Sequence, residues 1–183
     1  KLYLSFDDGP HPEITPFVLS LLEQYQAKAS FFCIGDNVLR YPDVFRLIGE
    51  KGHVVGNHTQ HHVNGWKKSD QAYLEDIALA AKHIPSELFR PPYGKIKFSQ
   101  ARALQQLQPA MRLVMWDVLS GDFDRGIDAG RCARNVISKA RPGSIVVFHD
   151  SEKAFPRLEK ALPQVLEYFS EKGYSFEGIP VFG

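Results

Sequence analysis

Short apolar runs alternate with helical patterns from one end of the chain to the other, and this alternation restricts the fold more than any other feature. Leu2–Phe6, Ala29–Ile34, His53–Gly56, Leu88–Phe89, Leu113–Val118, Ile145–His149 and Tyr174–Phe176 have the length and residue types of strands. Between them apolar residues recur at helical spacing: Phe17, Leu21, Leu22 and Tyr25, then Val44, Leu47 and Ile48. Tyr73, Ile77, Ala80 and Ala81 repeat the pattern, as do Leu158, Leu162, Val165 and Phe169. Thr15 reads as the N-cap of the first helix, with Pro16 at its first position. Gly52 and Gly173, each behind a lysine, read as helix-terminating residues.

Strands that alternate with helices pair in parallel through right-handed crossovers. Seven units in 183 residues leave roughly 26 residues each, enough for a strand, a crossover helix and short loops. The expected fold is α/β, a single-domain distorted (β/α) barrel of about seven strand–helix units covering residues 1–183. An open doubly wound sheet is the alternative. No glycine-rich phosphate loop follows the first strand, which disfavours the nucleotide-binding versions of that sheet. No linker, repeat or low-complexity stretch marks a second domain.

Composition narrows the function classes. A formal net charge of +1 gives no basic field for nucleic acid or an anionic membrane. No apolar run approaches the roughly 20 residues of a membrane span. Cys33 lies in an apolar run and Cys132 in a helical pattern, so both are expected to be buried free thiols. Lys1 leads directly into a strand that ends in the most chemically loaded motif, as expected of an excised or processed catalytic domain.

The unusual polar residues all follow strands. Asp7 and Asp8 come after the first, His58 to His62 after the third, Arg90 after the fourth, Asp122 after the fifth and His149 at the end of the sixth. In a parallel barrel these positions share one rim, where active sites are built. His58 and His62, four residues apart, are able to face one way across a turn and chelate a divalent metal together with a carboxylate. His61 is a rival partner for His58, whereas His11 and His53 read as turn or structural residues. Adjacent strand residues point different ways, so one of Asp7 and Asp8 can bind metal while the other acts as a base. Asp-Gly-Pro is also turn chemistry, and the turn would position both carboxylates.

Ser5-Phe6-Asp7-Asp8-Gly9-Pro10 resembles the first motif of the polysaccharide deacetylases, carbohydrate esterase family four, also called the NodB-homology domain. His58 to His62 is similar to that family's His-Ser/Thr-x-x-His motif, Arg90-Pro91-Pro92-Tyr93-Gly94 to its third motif, and Val147-Phe148-His149-Asp150 to its Leu-x-His motif. The motifs stand in the family's order across essentially the whole chain. The resemblance implies a distorted (β/α) barrel that removes acetyl groups, chiefly N-acetyl, from a carbohydrate polymer such as peptidoglycan or a chitin-like glycan. It implies metal ligation by Asp8, His58 and His62, normally of zinc, which acidifies a water and polarises the acetyl carbonyl. Asp7 is then the general base, Arg90 its partner, the Tyr93 backbone N–H an oxyanion donor, His149 the general acid and Asp122 the residue that orients it. An exported or envelope-associated protein is also implied.

The fourth motif departs from the family's Asp-x-x-Asp-Trp: here it is Leu119-Ser120-Gly121-Asp122-Phe123. Val147 stands where relatives have the leucine that walls the acetyl-methyl pocket. Tyr93, Val147, Phe123 and Trp66 are the expected substrate contacts, with Trp66 a candidate for stacking on a sugar. Three rival readings use the same residues. A glycosidase would oppose Asp7 and Asp122 and leave the histidines idle. A non-haem iron oxygenase also uses two histidines and a carboxylate. A silent carbohydrate-binding relative would have no use for Asp7 and His149.

Overall fold

The computed structural model describes residues 1–107 and 110–181. Seven strands form one parallel sheet: β1 (Tyr3–Asp7), β2 (Ala29–Cys33), β3 (Val54–Asn57), β4 (Leu88–Phe89), β5 (Arg112–Leu113), β6 (Val118–Leu119) and β7 (Ile145–His149). Their spatial order is β5-β4-β3-β2-β1-β7-β6. β5 and β6 are thus consecutive in the chain yet occupy the two edges. A flat sheet of seven strands would hold its edges about 29 Å apart, at about 4.8 Å per strand. The chain from Leu113 to Val118 reaches only about 17 Å when fully extended. The sheet therefore curls into a half-barrel, an α/β architecture with helices outside the sheet.

The helices are α1 (Ile14–Gln24), α2 (Gly35–Arg40), α3 (Pro42–Glu50), α4 (Asp70–Ala81), α5 (Phe98–Ala103), α6 (Ala129–Ile137) and α7 (Phe155–Glu171). Apolar faces explain their seating. Val18, Leu19 and Leu22 of α1 and Leu158, Leu162, Val165 and Phe169 of α7 are buried in one cluster with Leu4, Phe6, Phe31 and Phe148 of the sheet. Tyr73 and Ile77 of α4 join Phe89 and Leu104 in a second cluster. Fully burying an aliphatic or aromatic side chain contributes about 1.5–3 kcal/mol, so these stripes dominate the helix placement. Cys33 and Cys132 are both buried and free, and no described helix is long and apolar enough to cross a membrane.

Three sequence expectations need correction. Leu113–Val118 is not one strand: its apolar run is split between the two sheet edges, with Val114 N–H still bonded to Phe89 of β4 and Asp117 N–H already bonded to Ile145 of β7. Tyr174–Phe176 is reduced to one parallel bridge between Leu2 and Phe176. Thr15 lies inside α1 rather than capping it. The His11 ring receives the Glu13 and Ile14 N–H groups instead, which leaves the Thr15 hydroxyl to bond Asp150.

Candidate active site

Because every strand is parallel, the carboxyl ends share one rim. The register places Asp7 of β1 directly beside His149 of β7 on one side and Phe32 of β2 on the other. Asn57, next to Cys33 and Phe89, brings the start of the histidine loop and Arg90 to the same rim. A cleft of about 390 Å³ opens there, lined by Asp7, Asp8, His58, His62, Tyr93, Phe123, Val147 and His149.

Asp8, His58 and His62 each offer a ligand atom, and these atoms lie within 4.8 Å of one another. His62 Nε2 is 3.1 Å and His58 Nε2 3.6 Å from Asp8 Oδ1. His58 Nδ1 lies 2.8 Å from the Arg90 carbonyl. A carbonyl only accepts, so Nδ1 carries the proton and Nε2 presents its lone pair toward Asp8, the usual arrangement behind a metal-binding histidine. Burial holds His58 below its ordinary pKa, favouring the neutral, ligating ring. Burial pushes Asp8 the other way, but the hydrogen bond from His62 and the histidine charges overcome it and keep the carboxylate ionised. Two imidazoles and one carboxylate form a donor set suited to a divalent ion with positions left open.

The histidine pair does not sit on a helix. Thr59 and His62 adopt φ of 66° and 53°, and the segment is a loop pinned at both sides. His61 turns outward to Asp76, so it is His62 that faces Asp8 with His58. His11 and His53 lie outside the cleft. His53 is buried and accepts the Ala29 N–H, and burial lowers its pKa to about 4.

Asp7 has a different environment from its neighbour. It is 3% exposed, and Arg90 donates to its Oδ1 at 2.8 Å. Arg90 itself is fully buried, with further bonds to Ser5 Oγ and the Val114 carbonyl and its guanidinium 4.0 Å over the Phe32 ring. The pair fixes the position of the Asp7 carboxylate at the rim.

Asp122 is fully buried behind His149 and accepts from both its ring Nδ1, at 2.8 Å, and its backbone N–H, at 2.7 Å. Burial would lower the His149 pKa, but the Asp122 bond and charge, with smaller help from Asp8 and Asp7, lift it to about 9. Both Asp122 oxygens are committed, so it does not face Asp7 across the cleft as a glycosidase carboxylate would.

Phe123 stands edge-on to His149, with ring centroids 5.3 Å apart, and Tyr93 packs on His62 at 4.7 Å. Tyr93 holds a φ of 61°, a strained conformation for a non-glycine residue. Trp66 is not among the cleft residues: its indole N–H donates to the Ile96 carbonyl and Lys95 covers its ring. The cleft also contains Trp116, Ser151 and Lys153, which the sequence reading passed over. Ser151 and Lys153 carry the same signal as the others, since they follow β7, whereas Trp116 lies in the connection between β5 and β6. Asp150 closes the Val147-Phe148-His149-Asp150 motif. It lies fully buried beneath the Asp7–Asp8 turn, accepting the Gly9 N–H at 3.0 Å and the Thr15 hydroxyl. Burial raises its pKa to about 8 against those hydrogen bonds.

Residues 1–111 match the family model described as polysaccharide deacetylase, and the chain belongs to that family. It is 32% identical to a peptidoglycan-N-acetylglucosamine deacetylase of Bacillus cereus, over 98% of this chain and 67% of the relative. It is 33% identical to a chitooligosaccharide deacetylase of Azorhizobium caulinodans, over 82% of this chain and 73% of the relative. A crystal structure of a peptidoglycan N-acetylglucosamine deacetylase superposes with a TM-score of 0.90 at 30% identity, covering 98% of this chain and 86% of that one.

Proposed function

We propose that residues 1–183 form a single catalytic domain, a zinc-dependent hydrolase that removes N-acetyl groups from a carbohydrate polymer. The observation that carries this reading is the placement of Asp7 and His149, register partners on β1 and β7, beside the Asp8, His58 and His62 group in one cleft. One carboxylate fixed by Arg90 and one imidazole held protonated by Asp122 are the base and acid that amide hydrolysis needs. The names of the relatives support an acetylated amino sugar as substrate.

Asp8, His58 and His62 would hold a divalent ion, which would supply Lewis acidity toward a water and the acetyl carbonyl. Asp7 takes a proton from the attacking water, and Arg90 keeps Asp7 ready to do so. The Tyr93 backbone N–H is assigned to the developing oxyanion. His149 gives its Nε2 proton to the departing amine, because Nδ1 is already engaged with Asp122. The C–N bond breaks only when that nitrogen is protonated, and the products are acetate and a free amino sugar. Val147 and Phe123 are assigned to the wall against the acetyl group and its sugar. Trp66 has no part in this assignment.

The test is release of acetate from a panel of glycans, with and without zinc. N-acetylglucosamine polymers should lead, and O-acetylated xylan should be poor. Acetate from none of them in a zinc-loaded preparation overturns the proposal.

A further inference from the structure

One partly buried carboxylate beside the histidine loop has no place in the chemistry above. Asp76 lies in the middle of α4, its side chain 11% exposed. Its Oδ2 accepts the backbone N–H of Gln60 at 2.9 Å and of His61 at 3.1 Å, and its Oδ1 is bonded to the His61 ring. The Gln60 N–H is also shared with the Asp76 carbonyl at 3.2 Å. Both backbone donors belong to residues between His58 and His62.

That segment has reason to move unless it is held. Thr59 and His62 both sit in the left-handed region, which β-branched and bulky side chains rarely adopt. On one side, the Gly35 and Asp36 N–H groups of α2 bond the Thr59 and Gln60 carbonyls. On the other, Asp76 bonds the intervening N–H groups. α4 is a firm anchor, because Tyr73, Ile77 and Ala80 bury its inner face. The same carboxylate draws the His61 ring outward, away from Asp8, which settles which histidine joins His58 in the cleft.

We propose that Asp76 is a positioning residue for the metal group: by fixing the Gln60 and His61 N–H groups it sets the His62 ring beside Asp8 and His58. The inference rests on Asp8, His58 and His62 being the metal ligands. Without Asp76 the loop loses both side-chain anchors on that face, and His62 is free to leave the 3.1 Å approach to Asp8.

The experiment measures zinc affinity by competition with a chromophoric chelator, alongside thermal unfolding of the metal-free protein. Asp76→Ala keeps a strong helix former in mid-α4, so the helix itself is not weakened. Its zinc dissociation constant should rise about 10–100-fold, the usual effect of removing an outer partner of a metal site. Asp76→Asn retains an oxygen acceptor for the two N–H groups and should restore most of the affinity. His61→Ala leaves those two bonds intact and should also stay near wild type. An unchanged zinc affinity in Asp76→Ala overturns the inference, whether or not its unfolding temperature falls. Should Asp76→Ala fail to fold, Asp76→Ser, too short to reach the loop, is read against Asp76→Asn in the same way. A wild-type protein that binds no zinc overturns the metal reading and this inference together, a result distinct from wild type and variant binding equally.

Discussion

His149 and Asp122 are joined twice, ring Nδ1 to Oδ1 and backbone N–H to Oδ2, so the carboxylate fixes both the tautomer of the imidazole and the position of its main chain. The pair brings together the end of β7 and the turn after β6, adjacent strands in the sheet. Phe123 follows Asp122 and covers the ring from the side. The fourth motif therefore keeps its orienting aspartate although Leu119 and Phe123 depart from the family pattern.

This geometry predicts the alkaline side of the pH profile. As the proposed general acid, His149 works only while protonated, and Asp122, with smaller help from Asp8 and Asp7, raises its pKa from about 6.5 to about 9. Asp122→Asn should move the alkaline limb of kcat/KM to lower pH by about 1–3 units, the effect of one close opposite charge. The same raised pKa contributes stability that is complete below about pH 6.5 and is lost as pH rises through about 9. Wild type and variant should therefore converge in stability at high pH. An unmoved limb would make Asp122 a structural residue only.

Ligand variants separate the three histidines of the loop. His58→Ala and His62→Ala should each lose zinc by elemental analysis, because their Nε2 atoms face Asp8. His61→Ala should retain most of it, since that ring bonds Asp76 outside the cleft. Zinc loss confined to His61→Ala would reverse the assignment.

The two aspartates of the first motif should fail differently. Asp7→Asn should keep zinc and lose about 10²–10⁴ in turnover, the usual contribution of a general base. It also leaves the buried Arg90 guanidinium without its charged partner, so some loss of stability is expected in thermal unfolding. Asp8→Asn should weaken zinc binding first. Equal zinc loss in the two variants would contradict the division of roles.

Gly9 is predicted to be irreplaceable for a packing reason. A Cβ there would stand 2.1 Å from Asp150 Oδ2, and Asp150 is held by Gly9 and Thr15. Gly9→Ala should destabilise by about 1–3 kcal/mol, as overpacking does, and should disturb zinc binding through the neighbouring Asp8. Denaturant unfolding of the variant with wild-type stability would show that Asp150 yields easily.

The alternation of apolar runs and helical patterns was enough to read a parallel barrel, because a strand buried on both faces leaves a continuous apolar run. It misled at Leu113–Val118, where an equally apolar run spans the gap between two sheet edges. Apolar character does not report strand pairing or even burial there: Val114 and Val118 are buried at the two edges, whereas Leu113 and Met115 are exposed. The rim residues were legible because positions that follow strands share one rim in a parallel sheet. The choice of His62 over His61 was not legible from spacing, since the loop takes two left-handed turns and a carboxylate on α4 decides which ring turns outward. Only the fold shows that the Trp66 indole N–H is bonded to Ile96 and that the residue lies outside the cleft lining.

The most direct test of a metal-dependent deacetylase is a titration of the chelator-stripped protein with zinc while acetate release from an N-acetylglucosamine polymer is followed. Asp8, His58 and His62 are the sole such ligand group among the described residues. Activity should be absent without metal, rise linearly and level off at one equivalent of zinc. Full activity in protein shown by elemental analysis to be metal-free would contradict the account.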